Sequence, residues 1–330
     1  MTDLRVPHET EAQATTHTCW PAAADLWEDD LEPAREEFAA FLAASGAPIT
    51  VYAADANAEA DARRRLRQAT VVRAAYGDVW ARDTGPVFVS AGDQLSAVRM
   101  GFNGWGGKYE LEGDQTIGAN IAAQAGAKIV SADLICEGGA LEFDGQGTLI
   151  TTRQCVLNSN RNPGLTEAQF EAFAREYFGV TKVIWLDEGL VGDHTDGHVD
   201  NIARFAAPGV VVCQAPSGSD DPNAKVLGQI SRALKQATDA TGARLQVVEI
   251  ASPGYVDLGE GEAAAASHMN WVVGPNTVVM PAYNNHAKAA ARALQQAFKS
   301  HRVVTSPSRA ILTGGGSFHC VTCNQPGLEG

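Results

Sequence analysis

An α/β fold built from one repeated hairpin–helix–strand unit is what this sequence predicts, and three observations carry the prediction. Four stretches place β-branched or aromatic residues on both sides of a tight-turn former, the signature of a β-hairpin. Most of them are followed by an amphipathic helical stretch and then a short apolar strand. The four turns fall near residues 92, 145, 208 and 275, at intervals of about 53, 63 and 67 residues, which suggests a cyclic or stacked repeat and not a doubly wound sheet.

The elements follow in chain order. Pro33–Ala44 reads as a helix leading to a strand at Ile49–Tyr52, and Ala58–Gln68 as a second helical stretch. The first hairpin joins Thr84–Ser90 to Gln94–Phe102 through Ala-Gly-Asp; Gln115–Gln124 then precedes Lys128–Val130. The second joins Ala140–Phe143 to Thr148–Thr152 through Asp-Gly-Gln-Gly. A capping box at Thr166 and Gln169 starts the next helix, Phe170, Phe173, Ala174 and Tyr177 mark its apolar face, Gly179 stops it, and Lys182–Leu186 follows as a strand. The third hairpin joins Val199–Phe205 to Val210–Gln214. Pro222 suits a first helical position, Leu227, Ile230, Leu234 and Ala237 form the stripe, Gly242 ends it and Leu245–Ile250 is the strand. The fourth joins Met269–Val273 to Thr277–Pro281, with His286–Phe298 leading to Val303–Thr305.

Dividing 330 residues by about 66 gives five units, one more than the four internal hairpins. A composite fifth unit, with a strand near Thr16–Cys19 paired to one near Ser317–Thr322, would close a ring. No linker rich in Ser and Pro interrupts the chain, so residues 1–330 are expected to form a single domain. Gly254–Ala266 reads as an inserted, mobile loop.

Composition narrows the function. A hydrophobic fraction of 45% excludes a mainly disordered chain, and no apolar run has the length of a membrane span. Acidic residues outnumber basic ones 39 to 25, a net charge of −14, which argues against a nucleic-acid partner and permits steering of a small cation. The first residues lack an apolar signal core, and six scattered cysteines do not make a disulfide framework. A cytoplasmic location is therefore expected. The sequence carries no signal of oligomeric state, so a homo-oligomer stays open.

Five segments are dense in residues that do chemistry. Val191-Gly-Asp-His-Thr-Asp-Gly-His-Val-Asp-Asn201 contains His194, His198 and Asp200. These three could ligate a metal, although Gly197 spoils the helix that the His194–His198 spacing requires. They could instead form a catalytic imidazole–carboxylate pair, with His198 and Asp200 on one face of a strand, or a plain polar turn. Gly314-Gly-Gly-Ser-Phe-His-Cys320 allows close ligand approach at Gly316 and offers a nucleophilic thiol, to be activated by His319 beside it or His198 far off in sequence. Cys320-Val-Thr-Cys323 also reads as a redox CxxC pair, which would make the chain a thiol oxidoreductase. Val79-Trp-Ala-Arg-Asp-Thr-Gly-Pro86, Phe102-Asn-Gly-Trp-Gly-Gly-Lys-Tyr109 and Cys136-Glu-Gly-Gly139 add Trp80, Asp83, Trp105 and Glu137. Each has a purely structural reading too: a local Arg82–Asp83 ion pair, core indoles, a turn glutamate. Together, one thiol, one imidazole and three carboxylates, with neither a metal set nor a phosphate loop, suit a planar cationic electrophile such as a guanidinium.

On these motifs, with Asn160-Arg-Asn-Pro163, the chain from about Val79 to Pro326 resembles the agmatine deiminase group of the guanidine-modifying (pentein) superfamily. It is also similar to bacterial peptidyl-arginine deiminases. The resemblance implies a five-bladed pseudo-symmetric α/β propeller around a central site, no metal and no cofactor. It implies Cys320 as nucleophile, His198 as general acid/base, Asp83 and Asp200 as guanidinium clamps, Glu137 as a further polar contact and Trp80 flanking the substrate. Agmatine is the implied substrate, converted to N-carbamoylputrescine and ammonia. Departures touch the part of the site that would hold the substrate's tail. His194 stands where the resemblance leads one to expect an acid holding the distal amine, His17 and Thr18 replace an aromatic and a methionine, His268 a tyrosine, and Ala310 an acid. Free arginine, peptidyl arginine or a guanidino acid are the alternative substrates.

Overall fold

The computed structural model describes residues 4–328 apart from 260 and 262. Among the described residues the strands fall into five sheets, all with the same local order: an antiparallel pair whose second strand then pairs in parallel with a third. In the first sheet Val87–Ala91 pairs antiparallel with Gln94–Gly101, which runs parallel to Lys128–Ile135; the short strand Leu4–Arg5 adds an outer edge. The second joins Glu142–Phe143, Thr148–Thr152 and Lys182–Leu186. The third joins Ala203–Ala207, Val210–Ala215 and Gln246–Ala251, and the fourth Val272–Val273, Thr277–Ala282 and Arg302–Pro307. The fifth is composite, as expected. Thr322–Pro326 pairs antiparallel with Gln13–Cys19, which runs parallel to Ile49–Ala53, and Thr70–Arg73 extends it.

A parallel pair needs a crossover, and helices supply it. Leu31–Ser45, Asp114–Gln124, Glu167–Phe178, Ala224–Gln236 and Ala287–Ala297 each lie between the second and third strand of a sheet. Their apolar faces bury Phe38, Phe41 and Leu42 in the first, Phe170, Ala174 and Phe178 in the third, and Leu227, Ile230 and Leu234 in the fourth. The Thr166–Gln169 capping box forms with both bonds made, and Gly179 ends that helix at φ +70°. An ideal Cβ at Gly179 would lie 1.8 Å from the Leu4 carbonyl oxygen, so both the turn and the close packing exclude a side chain.

Several expectations shift. The helix after Pro222 starts at Ala224, with Asn223 before it, because residues 217–223 form a turn held by the Asp221 carboxylate. That helix ends at Gln236, and Gly242 belongs to a separate turn organised by Asp239. Most relevant to function, Val199–Asn201 is a turn of 3₁₀ helix and the strand starts only at Ala203, so His198 and Asp200 do not share a strand face. Cys320 also precedes its strand, lying in a turn that ends before Thr322. Of the loop Gly254–Ala266, residues 260 and 262 lie outside the described residues; the rest is irregular apart from a bridge between Asp257 and Ala263. No helix among the described residues is long and apolar enough to cross a membrane.

Candidate active site

Turns at the ends of strands from four of the sheets bring the sequence-predicted residues together. An ideal Cβ on Gly139 would lie 2.6 Å from His198 Nδ1, 2.9 Å from Asp83 Oδ1 and 3.2 Å from Asp200 Oδ2, so these three groups converge on a point that only glycine leaves open. On the other side, a Cβ on Gly316 would lie 3.2 Å from Cys320 Sγ and 2.6 Å from the Trp80 ring. A cavity of about 230 Å³ opens there, lined by Trp80, Asp83, Trp105, His194, Gly316 and Cys320 among others. Glu137, His198 and Asp200 lie behind that lining and are fully buried.

Each group is held by named partners. Asp83 accepts from the Gly139 amide at 3.0 Å and from Trp105 Nε1 at 2.9 Å. Trp105 makes that bond from a left-handed backbone (φ +54°), a conformation that costs a bulky residue roughly 1 kcal/mol or more. The sequence-level alternative of an Arg82–Asp83 ion pair is not what forms: Arg82 turns to Glu9, at 3.1 Å. Trp80 and Trp27 donate their indole N–H groups to the two oxygens of Asp78, at 2.9 and 2.8 Å. His198 has Asp83 Oδ1 3.8 Å from Nδ1 and Glu137 Oε2 3.5 Å from Nε2. Neither ring nitrogen, nor Asp200 Oδ1, has a hydrogen-bond partner among the described residues. Buried polar atoms left this way carry a desolvation cost that a bound polar ligand would relieve.

Cys320 is framed by Asn270, which the sequence reading overlooked. Asn270 Nδ2 donates to Sγ at 3.2 Å while its Oδ1 accepts from the Cys320 amide at 3.1 Å. The sulfur also lies 3.6 Å from Asp200 Oδ2. His319 does not turn to the thiol beside it in sequence; its ring bonds Asp200 and Glu9. Cys323 faces away, donating to the Pro86 carbonyl at 3.3 Å, so the two CxxC thiols have separate partners.

The electrostatics follow from burial among carboxylates. Burial, then the charges of Asp200 and Asp83, hold the Cys320 thiol well above its usual range, so it is protonated at neutral pH. Burial alone would lower the His198 pKa, but Asp83, Cys155 and Glu137 hold it well above the ordinary imidazole value. Burial also lifts Asp83 to about 6 despite the nearby His198. For Glu137 and Asp200, burial is outweighed by His198 and Arg161 in one case and by His319 and His198 in the other, and both stay ionised.

Arg161, of the Asn-Arg-Asn-Pro motif, supplies the buried cation. Its Nε donates to Glu137 Oε1 at 2.8 Å, and it also pairs with Asp196. Glu137, Cys155 and His198 present donor atoms within 4.8 Å of one another, a geometry a metal ion could use. The Arg161 guanidinium already on Glu137 opposes a second cation there. The His194–His198–Asp200 metal reading does not assemble, because His194 is exposed at the cavity's mouth while His198 is buried. His194 Nδ1 instead lies 2.8 Å from the Tyr109 hydroxyl. His17 and His268 do not line the cavity. His17 bonds Tyr52 and Gln325, His268 bonds the Ala251 carbonyl, and burial lowers both to about 4. Ala310 packs in an apolar cluster with Trp80 and Phe318.

Comparison with known proteins places the whole chain. The family model for Porphyromonas-type peptidyl-arginine deiminase matches residues 5–326. An agmatine deiminase of Pseudomonas aeruginosa (strain LESB58) is 38% identical, the alignment covering 98% of this chain and 95% of the relative. The solved agmatine deiminase of Enterococcus faecalis superposes with a TM-score of 0.92 at 29% identity, covering 99% of this chain and 97% of that one. The agmatine deiminase of C. jejuni with substrate bound does so with a TM-score of 0.90 at 25% identity, covering 98% and 96%. Matched almost end to end by this model and by these relatives, the chain belongs to the Porphyromonas-type peptidyl-arginine deiminase family, and the protein is a hydrolase of C–N bonds.

Proposed function

We propose that this enzyme hydrolyses the guanidinium group of a small cationic substrate, with agmatine as the first candidate, releasing ammonia and N-carbamoylputrescine. The observation that carries the reading is the set of unpartnered buried atoms, both His198 ring nitrogens and Asp200 Oδ1, beside the Cys320 thiol and Asp83. A guanidinium fits that set, since its N–H donors match carboxylate oxygens and its charge offsets two buried anions.

In the resulting mechanism Asp83 and Asp200 grip the guanidinium. Its positive charge offsets the two carboxylates that keep the thiol protonated, so the thiol gives up its proton to solvent as the cation arrives. The thiolate forms a C–S bond to the guanidinium carbon. His198, already protonated between Asp83 and Glu137, gives its proton to the departing nitrogen; the C–N bond breaks and ammonia leaves. His198 then takes a proton from water as water adds to the thiouronium carbon. The C–S bond breaks as the hydroxyl of the adduct becomes the ureido carbonyl, its proton returning to the departing sulfur, and the ureido product leaves with the thiol restored. Asn270, donating to Sγ, supports the thiolate between steps. Trp80 and Trp105 wall the planar group, and Gly316 keeps the approach clear.

The same reading takes the five sheets as blades of a pseudo-symmetric propeller within one domain, residues 1–330, with the composite sheet as the fifth blade. Six unpaired cysteines fit a reducing cytoplasm.

One observation favours a second substrate class. Among the described residues, the carboxylates lining the cavity are Asp78 and Asp83. Asp78 already serves two indoles, and exposed His194, Tyr109 and Leu26 form the mouth. Among the described residues a distal ammonium finds no free carboxylate there, whereas peptidyl arginine or a guanidino acid needs none and free arginine brings its own α-carboxylate beside its α-ammonium. Ammonia release across agmatine, arginine, an arginine peptide and guanidino acids decides between them, with Cys320→Ala as the dead control. Agmatine turned over above the rest, with no further gain in His194→Glu, supports the first reading. An acidic or neutral tail preferred, with agmatine rescued by His194→Glu, supports the second. Silence across the panel refutes both.

A further inference from the structure

Asp200 is not alone behind the site. Its Oδ2 lies 2.7 Å from His319 Nδ1, and His319 Nε2 lies 2.9 Å from Glu9 Oε1. Asp200 and His319 are buried, and Glu9 comes from the N-terminal segment, 310 residues from His319. Glu9 is gripped in turn by Arg82 at 3.1 Å and by Arg204. Arg204 also lies 3.4 Å from Glu142 and 4.8 Å over the Trp271 ring. One carboxylate thus ties together the residue before Asp83, the strand after Asp200 and the residue before Cys320.

Two features separate this chain of groups from the reacting centre. Glu9, Arg82, Glu142 and His319 line a second small cavity that shares no lining residue with the substrate cavity, so Glu9 and His319 reach the substrate only through Asp200. Oδ2 of Asp200 is occupied by His319 and the thiol, while Oδ1 has no partner. A carboxylate pinned by one oxygen presents the other in a fixed direction. We propose that Glu9 and His319 are positioning residues, a carboxylate–imidazole–carboxylate chain that fixes Oδ2 of Asp200 and aims Oδ1 at the guanidinium.

Both N···O contacts are hydrogen-bond length, so the ring bridges the two carboxylates: a neutral imidazole donates to one of them, an imidazolium to both. Arg204, His319 and Arg82 overcome burial to hold Glu9 well below the carboxylate range. Burial, with Arg204 and Arg82, pulls the imidazole's own affinity for protons down. Asp200 and His319 are faced by Glu9 from the N-terminal segment, Arg82 and Asp83 from the turn at 81–84, Glu142, His198, Arg204 and Cys320. The loss of the imidazole donor among these carboxylates raises the pH at which Asp200 ionises.

The proposal rests on the deiminase reading for its kinetic test, and asparagine and glutamine at position 319 separate its parts. Asparagine places an amide where Nδ1 was, keeping the bond to Asp200 but not reaching Glu9; glutamine does the reverse. His319→Asn is expected to keep kcat/KM within about 10-fold of the parent. His319→Gln and His319→Ala are expected to lose about 100-fold or more, the scale of a misplaced catalytic group, with the acid limb of the kcat/KM profile moved upward. Equal activity in the Asn and Gln variants, or a lowered melting temperature with kcat/KM and the acid limb unchanged, overturns it. A second measurement does not depend on turnover. Proton NMR of the unmodified enzyme should show an exchange-protected low-field imidazole N–H resonance that vanishes in His319→Asn and His319→Ala, and its absence overturns the proposal. That resonance in an enzyme that releases no ammonia from any guanidine would refute the deiminase reading and leave the chain of groups standing.

Discussion

Replacing Trp105 by phenylalanine isolates one bond at the site. The phenyl ring keeps the edge contact with Phe102, whose centroid lies 4.9 Å from that of Trp105, and the contact with Tyr109 at 6.1 Å. It removes the indole N–H that Asp83 Oδ2 accepts at 2.9 Å, leaving the Gly139 amide as the remaining donor. A hydrogen bond to a charged, buried group contributes about 1.5–3 kcal/mol, or roughly 10- to 150-fold in kcat/KM where that charge holds substrate. The same energy favours the ionised carboxylate, so its loss raises the Asp83 pKa from about 6. At about 1.4 kcal/mol for each tenfold change in proton affinity, the carboxylate then ionises near pH 7 to 8. Ammonia release followed from pH 5 to 9 should show the acid limb of kcat/KM displaced upward by about 1–2 in pH, with partial recovery of activity at the alkaline end. Melting curves control for packing. An acid limb that stays in place in the phenylalanine variant, with activity lost only in Trp105→Ala, would mean that Trp105 is a wall and not a donor, and the reasoning fails.

Two further outcomes concern stability. Asp114 is buried, accepts from the Gly77 amide at 3.0 Å through one oxygen and leaves the other unpaired, and burial lifts it to about 6. A carboxyl with a raised folded-state pKa binds its proton more tightly when folded, so stability is lost as pH rises from the ordinary 3.8 through about 6. Asp114→Asn should therefore be more stable than the parent by about 1–2 kcal/mol at pH 7.5, and equal to it below about pH 4, by urea denaturation. Arg161→Met takes the guanidinium from buried Glu137, leaving it His198 at 3.5 Å, and should cost about 3–5 kcal/mol. Adding Glu137→Gln should restore most of the melting temperature without restoring ammonia release; unchanged melting in the single variant would show that the pair contributes nothing.

What was legible in the sequence, and what was not, divides by contact range. The hairpins, the capping box and the Gly179 stop are written in residues a few positions apart, and they appear where expected. Asp83, Glu137, His198, Asp200 and Cys320 stood out because polar residues at strand ends need a reason, and the structure gathers them. The boundary at His198 went wrong because Val199 and Ile202 look like strand residues, while the Thr195 hydroxyl accepts the His198 amide and holds the chain in a turn. Glu9, Arg161 and Asn270 gave no local signal. Each acts through partners 24 to 310 residues away, and only Arg161 lay in a motif already singled out. His17 was misjudged for the same reason. Its sheet neighbours bury it, so a residue that looked able to read the substrate's tail sits in the interior.

The protonated resting thiol has a consequence outside the reaction itself. Peroxides and alkylating agents attack sulfur as the thiolate, and sulfenic acid formation begins there. Cys320 is buried and faces two carboxylates, and in the proposed mechanism it stays a thiol until a cation settles between them. The idle enzyme is therefore shielded from oxidative damage, and its vulnerability rises with its workload: a guanidine that wakes the sulfur for hydrolysis also exposes it to whatever oxidant is present.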